Sequence, residues 1–81
     1  MQHSVEQMYI KVQAMVLLAE DAKTAKYDNA DREGNYNVDL VTHLVQQVQA
    51  LAGDLYNDKT IHPKLKEKQM NAMWKELHQD A

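Results

Sequence analysis

The residues of this 81-residue chain with the most chemistry open to them are four histidines, one serine, an adjacent pair of acids and a small group of lysines and tyrosines. A zinc site built on one helix face needs two ligands four residues apart. His3, His43, His62 and His78 include no such pair. They read as exposed titrating side chains, with His62 beside Pro63 in a capping position and His43 on an outer helix face. Ser4, the sole serine, falls where a helix N-cap is wanted. Glu20 and Asp21 are neighbours in sequence, so on a helix they diverge by about 100° and form no acid/base pair. With no cysteine there is no thiol nucleophile, disulfide or thiolate metal site. The expectation is a protein that is not an enzyme and carries no cofactor and no metal.

Lys23, Lys26 and Tyr27 gather near the end of the first predicted helix, with Tyr9 further up it. Brought together from two chains, such groups line a pocket for a nucleotide-like or other anionic ligand, the ring stacking and the ammonium groups meeting phosphate. The competing reading pairs the lysines locally with Glu20 and Asp21, each pair contributing about 0.2–0.5 kcal/mol.

Between the first two helices, Asn29, Asp31, Glu33, Gly34, Asn35, Asn37 and Leu40 fall at positions 1, 3, 5, 6, 7, 9 and 12 of a calcium-loop template. Over these twelve residues the chain resembles an EF-hand loop, glycine standing where the sharp bend is needed. That resemblance implies an oxygen-lined cation site. The chain departs from the pattern where charge matters most, with Asn29 in place of Asp and Leu40 in place of the bidentate Glu. A polar interhelical turn uses the same residue types.

The formal charge of −3 argues against general nucleic-acid binding. It is unevenly placed: residues 1–58 carry four bases against nine acids, residues 59–81 five lysines against three acids. This asymmetry predicts that the basic last helix docks on the acidic first two. No stretch approaches the ~18 apolar residues of a membrane span. The missing cysteines and the absence of a leader-like start lead to an expectation of a cytoplasmic protein.

The elements that position these residues are helical. Two glycines, one proline and no alternating runs leave no room for strands. The predicted fold is all-α: a three-helix antiparallel bundle in a single domain, helices over about 4–32, 38–56 and 62–79, the first long and paired with a second copy into a homodimer or higher oligomer. Val38, Val41, Leu44, Val45, Val48, Leu51, Ala52 and Leu55 form the wide apolar stripe of the second helix, with Leu40 at its edge, and Asn37 or Asp39 caps its start. Gly53, three residues after Ala50, either serves a close helix contact or costs about 1 kcal/mol of helix propensity without compensation. In the third helix, Pro63 suits the first turn, and Trp74 is read first as the aromatic plug of the bundle.

The first helix is apolar on every face over Ala14–Ala19. A helix apolar all round needs more cover than two short neighbours give. Self-association and a protein partner are therefore expected, with Met15, Leu17 and Leu18 as partner-binding residues and Trp74 as a further anchor. The function that follows is that of a small helical interaction protein, such as an inhibitor, an immunity or anti-defence factor, an adaptor or an assembly subunit. The alternative is a ligand site at a subunit interface using Tyr9, Lys23, Lys26 and Tyr27.

Overall fold

A computed structural model describes residues 2–78, and of Gln2 and His3 only the backbone. The described chain is all-α, with three helices packed together: α1, Gln2–Lys23; α2, Val38–Asn57; and α3, Pro63–Leu77. Gln79, to which the sequence predicts the third helix to run, lies outside the described residues. No helix among them is long and apolar enough to cross a membrane.

Each end has a local cause. α1 already runs through Ser4, so Ser4 is no N-cap; its Oγ instead lies 2.8 Å from Thr60 Oγ1 in the α2–α3 turn. At its far end α1 passes into one π-helical turn, Thr24–Asp28, where the Asn29 N–H donates to the carbonyl five residues back, on Thr24, at 2.9 Å. The helical path therefore stops at Asp28 rather than near residue 32. Asp31 explains the shortfall: its carboxylate accepts from the backbone of Glu33 and Asn35, holding a turn that a helix cannot contain. Gly34 supplies the left-handed φ of 84° that this turn needs.

α2 begins as its sequence predicts, with Asn37 Oδ1 accepting from the Leu40 N–H at 3.0 Å. His62 caps α3, its Nδ1 accepting from the Lys64 N–H at 3.1 Å, and Pro63 takes the first turn. The Ser4–Thr60 contact places the start of α3 at the start of α1. A bond from Lys23 Nζ to the Leu77 carbonyl, 3.1 Å, places the two far ends together. α3 thus runs alongside α1 in the same direction, and α2 runs against both.

The core is small and rich in methionine. Met8, Met15, Val16, Leu55, Ile61 and Met73 are buried together, with Val5, Val12, Val48, Leu51 and Leu65 packed around them. α1 touches both other helices, whereas α2 and α3 scarcely meet. The bundle is therefore open along one side. Its Cα radius of gyration is 14.5 Å, against about 12 Å for a compact domain of this length. Its extents are 49 × 26 × 15 Å, so the thin direction is little more than one helix deep.

Four expectations change. Met15 is only 1% exposed and belongs to the core, so it is not a docking residue in this conformation. Trp74 is 62% exposed and plugs nothing. Of the lysines on α3, Lys66 alone turns toward α2, donating to the Asp58 carbonyl at 2.9 Å and to the Tyr56 carbonyl at 3.4 Å. A cation there answers the unpaired carbonyls at the end of α2. Lys64, Lys68 and Lys75 instead share the outer side of α3, seven, three and four residues from Asn71, so most of the basic helix does not dock on acids. Gly53 makes no close contact, since a Cβ built on it meets nothing within 4 Å.

Two stability results follow. Gly53→Ala should raise stability by up to about 1 kcal/mol, the helix-propensity difference with no steric penalty. Met15→Ala should cost about 2–5 kcal/mol, as expected for a buried methionine cut to alanine, while Leu17→Ala stays within about 0.5 kcal/mol. Urea denaturation of the three variants checks the order.

Candidate functional site

Where α2 and α3 part, a cleft opens over the far half of α1. One hollow of about 310 Å³ has Ala19 and Ala22 as its floor and Val41, Val45 and Val48 of α2 as its wall, with Lys23, Lys26, Tyr27 and Gln49 around it. A second, of about 570 Å³, shares Ala19, Lys23 and Tyr27 and continues to Leu77 and His78 of α3. Small floor residues make the depth. Alanine at 19, half-buried, and at 22, buried, leaves space between the taller valines and leucine. At the near end, Tyr56 of α2 faces Pro63 and Met70 of α3 across a third hollow.

Trp74 stands on the same flank of α3, one helical turn from Met70 and one from His78. Its ring stacks on the His78 imidazole with centroids 4.0 Å apart, and His78 Nδ1 lies 2.8 Å from the Trp74 carbonyl. The pair is held rigid while most of the indole faces water. On α2, Val45 (42% exposed) lines the first hollow and Tyr56 (69%) the third.

The lysine–tyrosine group lies at this cleft, but not as either sequence reading has it. Lys23 is spent on the last carbonyl of α3, and Lys26 Nζ sits 5.5 Å from the Tyr27 ring centre and 5.7 Å from that of Tyr36. Neither pairs with Glu20 or Asp21 in these contacts. Tyr9 is eighteen residues from Tyr27, about 27 Å along a helix, so the four residues do not form one site within a chain.

The other expected residues divide between faces. Leu17 is 53% exposed and Leu18 half-buried. Leu17 lies about 160° around α1 from Ala19, which places it behind the cleft, alongside Ile10, 59% exposed and seven residues earlier. Sequence reasoning missed Ile10, whose signal was present in the spacing of Ile10, Ala14 and Leu17. Val41, Val45 and Val48 belong to the predicted apolar stripe of α2, but that they wall a hollow depends on where α1 lies.

The loop of the EF-hand resemblance is folded around its own acid. Asp31 Oδ1 accepts from Glu33 N–H and Asn35 N–H at 2.9 and 2.8 Å, and Oδ2 from Asn35 Nδ2 at 3.1 Å. Among the described residues no group of three or more His, Cys, Asp or Glu side chains converges on a metal-sized site. Comparison with protein-family models, with characterised proteins and with solved structures finds no match to the chain.

The same backbone and side-chain hydrogen bonds from Asn35 hold the Asp31 carboxyl below its ordinary value. Asp58 is lowered likewise, first by the Thr60 hydroxyl and then by the Thr60 N–H. A depressed folded pKa means the stabilisation is complete above the unfolded value of 3.8 and is lost as pH falls through the lower folded one. Denaturation midpoints measured from neutral pH downward should therefore fall below pH 3.8, and Asp31→Asn and Asp58→Asn should each flatten part of that fall.

Proposed function

We propose that this chain is a non-enzymatic helical interaction protein that binds a protein partner by taking an apolar helix face into the cleft between α2 and α3. Modulation of the partner, as an inhibitor, immunity factor, adaptor or assembly subunit, follows from covering that face. The observation that carries the reading is the cleft itself, with valines of α2 and Leu77 of α3 beside an alanine floor and the exposed Trp74 stacked on His78 at its α3 edge. Grooves of this shape accept amphipathic helices read at three- and four-residue steps. An exposed, pre-oriented tryptophan is the side chain most often found at the energetic centre of such contacts.

The lining also indicates the partner's charge. Lys23 and Lys26 are the charged residues of the two hollows over α1, and neither hollow has an acid. An apolar helix face flanked by Asp or Glu is therefore favoured over one flanked by Lys or Arg. Small anionic ligands are less well served, because the walls are apolar and offer few converging polar groups.

Two synthetic helical peptides with one apolar face, one flanked by Glu and one by Lys, test this. Trp74 emission should shift to the blue with the acidic peptide and stay put with the basic one. Val45→Glu should abolish the shift. A tryptophan indifferent to both peptides overturns the reading.

A further inference from the structure

The molecule carries on its back the kind of surface its cleft favours. Ile10, Ala14 and Leu17 fall at i, i+4 and i+7, so they form one apolar ridge on the side of α1 turned away from the cleft. Ile10 is 59% and Leu17 53% exposed. Glu6 and Asp21, each four residues from Ile10 or Leu17, stand exposed beside this ridge. Lys11 is rotated about 100° from Ile10, and Glu20 lines a hollow with Lys23 and Tyr27. The ridge is thus an apolar helix face with acidic flanks, and the cleft an apolar trough with lysines.

Resting on the reading of the cleft as a helix acceptor, we infer that the chain is its own default ligand: the Ile10–Leu17 ridge of one copy docks in the α2/α3 cleft of the next. Charge complementarity selects this arrangement over its rival. Two ridges facing each other oppose Glu6 and Asp21 to the same acids, whereas ridge on cleft opposes them to Lys23 and Lys26.

Ridge and cleft lie on opposite sides of a thin molecule, so the contact is heterologous and each docked copy offers a fresh cleft or ridge. Such contacts propagate unless the rotation closes a ring. A partner helix with acidic flanks competes for the same cleft and takes the stack apart.

Sedimentation velocity of two surface variants decides the matter. Leu17→Lys spoils the ridge by setting a cation against the lysines of the cleft, and Val45→Glu spoils the cleft by setting an acid against the acidic ridge. The wild-type chain should show concentration-dependent species beyond the dimer, weakened by salt. Each variant alone should sediment as the 9.4 kDa monomer with its helix content intact by circular dichroism. Mixed in equal amounts, they should form a 1:1 dimer and nothing larger, because one intact ridge meets one intact cleft. A wild-type monomer, a mixture that stays monomeric, or a Val45→Glu variant that dimerises on its own overturns the inference. Titrating Leu17→Lys with the acidic peptide tests the cleft separately: a Trp74 shift there upholds the acceptor even where stacking fails.

Discussion

One helix serves as the core of the whole chain. α1 is the only element that both other helices pack against, so apolar side chains must cover more of its circumference than a single stripe. Met8, Met15 and Val16 answer that need on the inner side, and unbranched methionine suits the job because it fills an irregular gap where helices converge unevenly. The same demand explains why the opening helix reads as apolar all round. Part of that surface is consumed internally, and the Ile10–Leu17 ridge is what remains outside.

The second constraint is polar. Three helices of this length end in carbonyls that only other elements can satisfy. Lys66 of α3 closes the end of α2, and Lys23 of α1 closes the end of α3. These bonds, with the Ser4–Thr60 contact, fix the order and direction of the helices at both ends of the molecule. Between them the core is concentrated toward the start of α1. The α2 and α3 walls are therefore free to diverge at the other end, which is why the cleft lies over Ala19–Tyr27.

Much of this was legible in the residues. The Asn37 cap and Pro63 in the first turn of α3 follow from local rules and hold. The wide stripe of α2 holds only in part, with Leu55 buried, Val48, Leu51 and Ala52 packed against the core, and Val38 and Val45 exposed. What escaped depends on non-local geometry. Met15 and Leu17 are both apolar and only two residues apart, so periodicity alone does not say which lies inside; the position of α2 decides. Trp74 was read as a plug because a lone large aromatic in a small bundle is usually enclosed. That reading assumed the helices close on one another. The lysines misled for the opposite reason, since pairing with nearby acids is a sound local expectation, yet carbonyls and tyrosine rings lay within their reach.

The thinness of the molecule has a consequence of its own. With one direction of only 15 Å, hardly any backbone is more than a side chain's length from water. Amide protons in such a slab owe their protection to the ladder of their own helix rather than to depth, so their exchange reports helix opening segment by segment. The protected interior of such a body is confined to the cluster around Met8 and Met15, and elsewhere its tolerance of change is governed by which face is covered at a given moment.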